Sequence, residues 1–255
     1  MKTLRPFFTL ILLVLLSSQS YGQKQVTNES IEDNVLIDDT EIPFLFYGNE
    51  RPSKAAIIWF EPHYGDFTEQ AVAHQLASQG FSVYQPNWFE VFFLPRAYSS
   101  MAEMDGALIA RFIHWVKQKA NQPVYLVGAS RGAVAALNGI AADASAVAGM
   151  VLLNPSIYLH KPEPMQPVRF IPAAKRCPVP IVILQPDQST RIWWMEEVEN
   201  TLRAGGASVT STLIRGVRDG FWQRPDITPQ EVGRKSLFHL DIMSAINSME
   251  TLNEN

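Results

Sequence analysis

Short runs of consecutive apolar residues alternate with longer segments of helical spacing along most of the chain. Such runs are typical of parallel strands that are buried on both faces, and the longer segments have the length of crossover helices. The predicted strands are residues 41–49, 54–61, 81–87, 123–130, 148–155, 180–186 and 209–216. The predicted helices are residues 66–80, 100–119, 131–142, 190–206 and 228–249. This order predicts an α/β fold with a mostly parallel central sheet and helices on both of its faces.

Polar residues with capping spacing mark the start of two of these helices. Asp66 stands three residues before Glu69, and Thr228 stands three residues before Glu231, with Pro229 at the first helical position. This is the spacing of a capping box, in which two side chains accept hydrogen bonds from free amides at the helix start. Both pairs therefore predict a helix start.

The first 22 residues have the pattern of a secretory signal peptide. Lys2 and Arg5 precede a predominantly apolar run at residues 7–16, and small and polar residues follow up to Gly22. The run is shorter than the ~20 residues of a spanning helix, so we expect no transmembrane anchor after cleavage and a secreted or periplasmic location. Cleavage removes two positive charges and no negative one, so the formal charge changes from −4 to −6, which argues against nucleic acid as a partner.

Residues 23–255 are expected to form a single domain, because a chain with 47% hydrophobic residues can build one sizeable core. Residues 156–178 are rich in proline, which favours an irregular excursion over the site rather than a second domain. The single cysteine, Cys177, excludes an intramolecular disulfide, and we interpret it as an inert thiol beside a buried strand. The sequence has no spacing typical of a metal site, so no metal or cofactor is predicted.

The stretch Gly128-Ala129-Ser130-Arg131-Gly132 joins a predicted strand to a predicted helix. In that context the pattern G-x-S-x-G is typical of a nucleophilic serine on a sharp strand-to-helix turn, where the helix dipole and free amides favour developing negative charge. The alternative is that Ser130 is only a small residue in a tight turn. The strand before it and the helix after it favour the nucleophile.

The order of strand, Ser130 turn, helix and a later strand that ends in an acid resembles the α/β-hydrolase fold family. The resemblance covers essentially the whole of residues 23–255. It implies that the Arg131 amide is one oxyanion donor and that the amide of His63 or Tyr64, in the loop after strand 54–61, is the other. It also implies that Asp187, which follows strand 180–186, orients the catalytic base, although an aspartate there can equally cap the next helix.

The resemblance fails at the catalytic histidine. The family places this residue in the turn after the last strand, and Asp219 stands there in this chain. An aspartate cannot shuttle a proton as an imidazole does unless its pKa is strongly raised. Of the five histidines, His63 is the best placed substitute, because its loop follows a strand on the same sheet edge as Ser130.

Several side chains are predicted to lie at the mouth of the site: Arg218, Phe221 and Trp222. We expect Arg131 and Arg218 to pair with Asp187 and Asp219 in a buried network; the alternative is that they clamp an anionic ligand.

The sequence thus leaves two functions open. The first is an exported serine hydrolase that acts on an ester, thioester or amide through Ser130. The second is a catalytically degenerate protein of the same fold that binds a small ligand or a partner in a bacterial-type envelope, and Asp219 is its main support. Fold-level analogy gives the reaction class only.

Overall fold

A computed structural model of the protein describes residues 30–48, 53–63, 69–163 and 166–253. Its strands are β1 (Ile31–Ile37), β2 (Thr40–Tyr47), β3 (Ala56–Phe60), β4 (Ser82–Pro86), β5 (Val124–Ala129), β6 (Gly149–Leu153), β7 (Ile181–Pro186) and β8 (Val209–Ile214). They form one sheet in the order β1-β2-β4-β3-β5-β6-β7-β8. β2 pairs antiparallel with β1 and β4, and the remaining neighbours are parallel. The mostly parallel sheet is therefore as predicted.

Helices cover both faces of this sheet. They are α1 (Gln70–Ser78), α2 (Trp88–Val91), α3 (Ser100–Glu103), α4 (Gly106–Ala120), α5 (Gly132–Ala142), α6 (Met195–Ala204) and α7 (Pro229–Asn253). The apolar sides of α4, α5 and α6 build the core on one face, and those of α1 and α7 build the core on the other. Among the described helices, none combines the length and the apolar character that a bilayer crossing requires.

The amino-terminal hairpin of β1 and β2 was not predicted in full, because only the β2 half has a buried pattern. Asp38 and Asp39 join the two strands with φ values of 47° and 62°. Two consecutive positive φ values are typical of a tight hairpin turn, and aspartate tolerates this conformation. β1 is thus fixed by pairing and turn geometry rather than by burial.

One helix prediction needs correction. The single helix predicted at 100–119 is interrupted, because Met104 is extended and Asp105 caps α4 by accepting the Ala107 amide at 2.8 Å. α1 begins directly after Glu69, whose side chain is buried, and the capping box of Asp66 with Glu69 stays a prediction. Asp66 lies outside the described residues.

The capping box at the start of α7 is confirmed. The Thr228 amide donates to Glu231 Oε2 at 2.8 Å, and the Glu231 amide donates to Thr228 Oγ1 at 3.2 Å. Glu231 is almost fully buried, at 1% exposure. The start of α7 is therefore held firmly at the carboxyl edge of the sheet.

Close backbone contacts around the turn from β5 into α5 require glycine. A Cβ on Gly132 would lie 2.2 Å from the carbonyl oxygen of Phe60 and 2.6 Å from that of Glu61. A Cβ on Gly128 would lie 2.8 Å from Ala133 Cα. The start of α5 thus packs directly against the carboxyl end of β3.

We expect Gly132→Ala to lower the free energy of unfolding by about 2 kcal/mol, because the methyl group meets fixed backbone oxygens. Gly233→Ala is the control. Gly233 is exposed in α7 with nothing within 4 Å of its Cβ position, so alanine there is expected to stabilise by about 0.5 kcal/mol. Urea unfolding measures both, and equal effects of the two substitutions would contradict the packing described.

Candidate active site

Ser130 occupies the turn between β5 and α5 with a φ of 49°, which lies in the left-handed region. A non-glycine residue seldom adopts this conformation, and its cost is met here by the surrounding hydrogen bonds. The Ser130 amide donates to the carbonyl of Leu153 at 2.8 Å, and the Ser130 carbonyl accepts the amide of Ser156 at 2.9 Å. The turn is therefore fixed from two sides by residues at and beyond the end of β6.

The hydroxyl of Ser130 is buried, since the residue is 1% exposed. Within the described ranges, Ser130 Oγ has no hydrogen-bond partner. Buried hydroxyl groups are generally paired, so an unpaired one on a strained turn is an unusual feature.

Arg131 is buried beside this serine, but not as predicted. Its guanidinium donates to three carbonyl oxygens, with Nε bonding Tyr98 at 2.8 Å and Nη1 bonding Ser156 at 3.0 Å and also Tyr158. It also lies over the Tyr98 ring at 4.0 Å from the centroid. The predicted pairing of Arg131 with Asp187 or Asp219 is therefore wrong, because backbone dipoles and an aromatic face satisfy the cation instead.

His63 follows β3, the strand next to β5 on the side away from β6. Its ring meets that of Tyr98 edge-on, with the centroids 6.0 Å apart. Burial lowers the pKa of His63, and the positive charges of Arg131 and Arg191 lower it further. The imidazole is therefore neutral at pH 7, which is the form that accepts a proton. Tyr64, the other predicted donor of this loop, lies outside the described residues.

Asp219 is engaged in a polar network. Its Oδ1 accepts from Asn154 Nδ2 and, at 3.2 Å, from Arg191 Nη1. Asn154 is fully buried with a φ of 46°, and its Oδ1 accepts from Gln185 at 2.9 Å and from Ser189 at 3.0 Å. Asn154 directly follows β6, and Ser130 directly follows the neighbouring strand β5. The hydrogen bond with Asn154 therefore places Asp219 at the end of the strand next to the one that leads to Ser130.

Asp187 lies at the same edge, two strands from Ser130. Its Oδ1 accepts the amide of Gly216 at 2.8 Å, and its Oδ2 lies 4.0 Å from Arg215 Nη1. Gly216 begins the turn that leads to Asp219. Asp187 thus holds the turn that leads to Asp219 through the Gly216 amide, and its own contacts in the described structure include no histidine.

The predicted mouth residues lie elsewhere. Phe221 and Trp222 are 0% and 1% exposed and pack on Phe238 of α7, with ring centroids 5.0 Å and 5.1 Å away. Burial of a large aromatic ring is energetically favourable, so these two rings pack inside the protein instead of lining the mouth of the site. Arg218 bonds Glu231 and Asp226 instead of Asp187 or Asp219. Both guanidinium groups already have partners within the protein, so neither Arg131 nor Arg218 is available to bind an anionic ligand.

Sequence reasoning missed Asn154, Arg191 and Tyr98. Asn154 could have been found, because it stands directly after a predicted buried strand, at the edge where ligands bind in such sheets. Arg191 and Tyr98 carry no such signal, since irregular segments bring them to the site.

Other reactive groups are accounted for. Cys177 is buried, and burial raises the pKa of its thiol to about 11, as expected for an inert thiol. Across the described ranges, His, Cys, Asp and Glu side chains form no group of three or more that could hold a metal ion.

Solved structures that share this architecture are esterases and related enzymes. One of two fungal esterases from Rhizomucor miehei matches with a TM-score of 0.63 and 13% identity, over 87% of this chain and 84% of its own. The chain has the α/β-hydrolase fold. A putative dienelactone hydrolase from Klebsiella pneumoniae matches with a TM-score of 0.60 and 13% identity, over 84% of this chain and 97% of its own.

A thioesterase domain from the curacin biosynthetic pathway also has this α/β-hydrolase fold. It matches with a TM-score of 0.54 and 16% identity, over 82% of this chain and 99% of its own. No protein-family model and no curated protein matches the sequence. At these identities the likeness concerns the fold, and the chemistry has to be argued from the site.

The ion pair of Arg218 with Glu231 fastens the turn that bears Asp219 to α7. Hydrogen bonds from the Arg218 guanidinium hold the pKa of the Glu231 carboxyl well below its usual range. A depressed pKa contributes stability above about pH 4.5 that is lost as the pH falls further. We expect Glu231→Gln to lower the free energy of unfolding by about 2 kcal/mol at pH 7, and the difference to shrink below pH 4.5.

Urea unfolding of wild type and Glu231→Gln at pH 7 and pH 3 measures this difference. Glu103→Gln, at an exposed glutamate in α3, is the control and is expected to have no effect at either pH. A difference between wild type and Glu231→Gln that stays constant with pH would contradict the charged contact.

Proposed function

We propose that the chain is an exported serine hydrolase that cleaves a carboxylic ester, a thioester or an amide through an acyl-enzyme on Ser130. The observation that carries the proposal is the left-handed Ser130 turn with its buried, unpartnered hydroxyl. Backbone strain of this kind is retained at functional sites, and it presents the nucleophile at the start of a helix.

In this proposal His63 is the general base. Ser130 Oγ attacks the substrate carbonyl carbon while its proton passes to the neutral imidazole of His63. The negative charge that develops on the carbonyl oxygen is stabilised by the Arg131 amide at the start of α5 and by an amide of the loop that holds His63 or Tyr64. The leaving group takes the proton from His63, and water then releases the acyl group by the same steps in reverse.

Asp187 and Asp219 have supporting roles in this scheme. Asp187 fixes the turn after β8 through the Gly216 amide, and Asp219 holds Asn154 and Arg191 beside the serine. Arg191 also lowers the pKa of His63, so the network around Asp219 bears on the base. The substrate is a small ester-like molecule, in line with the esterases that share the fold.

A second candidate function has a specific observation in its favour. The Asp219 carboxylate is already bonded to Asn154 and Arg191, and the family resemblance of the sequence implies that Asp219 occupies the position of the catalytic histidine. A site of this kind can bind a small ligand or a partner in a bacterial-type envelope without turnover.

Export is proposed from the sequence. The predicted signal peptide, residues 1–22, lies outside the described residues, so the inference rests on its pattern of charge, apolar run and small residues. A secreted or periplasmic location follows from it.

Hydrolysis of an activated ester separates the two functions. We expect Ser130→Ala to abolish the rate and His63→Ala to lower it by about 10²-fold or more, as is typical for a general base. His160→Ala, at an exposed histidine, is the matched control and is expected to leave the rate unchanged. The wild-type rate is expected to fall with pH below about 6.5, because the pKa of His63 lies below that value.

The Asp219→His variant also distinguishes the hydrolase from the binding function. With His63 as base, we expect this variant to lower the wild-type rate, because it removes the carboxylate that holds Asn154 and Arg191. In the binding alternative, wild type is inactive and Asp219→His gains a rate that Ser130→Ala removes. Equal rates for wild type, Ser130→Ala and His63→Ala would contradict the hydrolase and leave the binding function.

A further inference from the structure

Glu69 is a buried acid outside the candidate active site. The carboxylate of Glu69 is fully buried, at 0% exposure. Its Oε2 accepts from the indole nitrogen of Trp59 at 2.5 Å, and its Oε1 accepts from the indole nitrogen of Trp222 at 3.0 Å and from Gln223 Nε2. Three neutral donors from two separate parts of the chain thus converge on one carboxyl group.

These donors belong to the two segments that frame the site. Trp59 lies in β3, four residues before His63. Trp222 and Gln223 follow β8, three and four residues after Asp219. Trp222 is itself fixed, because its ring stacks on Phe238 of α7 with an interplanar angle of 22°. Glu69 therefore connects the strand that leads to His63 with the turn that bears Asp219.

The charge of this carboxyl is not compensated by a cation among the described contacts of Glu69. The nearby acid Glu61, just beyond β3, disfavours the ionised form. Burial raises the pKa of Glu69 to about 7, against the effect of the three hydrogen bonds. Both charge states of the carboxyl are thus accessible near neutral pH.

We propose that Glu69 is a positioning residue that ties the strand leading to His63 to the turn bearing Asp219, and that ionisation of its carboxyl tightens this tie. Hydrogen bonds to an ionised acceptor are shorter and stronger than those to a neutral one, so the ionised carboxylate draws the two segments together. The effect on catalysis rests on the proposed function. The tie itself does not, because its hydrogen bonds exist without substrate.

Tryptophan fluorescence tests the tie directly, since two of the three donors are indoles. We expect the emission of wild type to change with a midpoint near pH 7, and Glu69→Gln to lack this transition. Glu90→Gln, at an exposed glutamate after Trp88 and Phe89 in α2, is the matched control and is expected to retain it. Gln223→Leu removes one donor to the ionised form and is expected to raise the midpoint by about one pH unit.

The pH dependence of urea unfolding is a second test of the ionisation of Glu69. A raised pKa contributes stability that is greatest at low pH and is lost as the pH rises to about 7. We therefore expect the urea midpoint of wild type to be lower at pH 8 than at pH 5.5. The change that Glu69→Gln shows between the same two pH values is subtracted first, because it does not come from the Glu69 carboxyl. A fluorescence transition that survives in Glu69→Gln, or a midpoint that Gln223→Leu leaves in place, would overturn the proposal.

The catalytic consequence is read from the pH dependence of Ser130 phosphonylation by a fluorophosphonate, in which the serine oxygen bonds to phosphorus and fluoride leaves. We expect two inflections in wild type, one below pH 6.5 from His63 and one near pH 7 from Glu69, and loss of only the upper one in Glu69→Gln. Absence of phosphonylation at every pH, with the fluorescence transition intact, would refute the proposed function and leave the tie. Phosphonylation whose upper inflection persists in Glu69→Gln would refute the positioning role.

Discussion

The contact of Gly132 with the carbonyl oxygens of Phe60 and Glu61 is the constraint on which the site depends. It brings the start of α5 against the end of β3, and the chain turns from β5 into that helix through Ser130, whose φ of 49° is left-handed. Because His63 follows Phe60 by three residues, the same contact brings the start of the helix after Ser130 close to the strand end that leads to His63.

Buried charges around this turn are satisfied mainly by neutral groups. Arg131 is held by three carbonyl oxygens, and Glu69 by two indoles and an amide. Removal of charges from water is costly, and dipoles can compensate only when they are fixed in place. Tyr98 and Ser156 lie in the irregular segments after α2 and β6. Their hydrogen bonds with the Arg131 guanidinium therefore help to hold these segments in place.

The sequence predicts the sheet, most helices and the Ser130 turn, because buried runs, capping pairs and glycine spacing are local signals. It does not predict the partners of charged side chains. Arg131 is bonded to carbonyl oxygens 25 to 33 residues away, and Glu69 is bonded to Trp222 and Gln223, more than 150 residues away. The hairpin strand β1 was missed for a related reason, since its pairing, not its composition, makes it a strand. Long-range polar contacts thus limit prediction of the site more than of the fold.

Reaction of Ser130 with a fluorophosphonate, located by peptide mass spectrometry, tests the central claim most directly. We expect one adduct, on the peptide that contains Ser130, in the folded protein. We expect none after unfolding in urea, because the reactivity comes from the strained turn and its surroundings. The hydroxyl of Ser156, which is also buried at this edge, serves as an internal comparison and is expected to remain unmodified. A folded protein that gives no adduct on Ser130, or equal labelling of Ser130 before and after unfolding, would contradict the account.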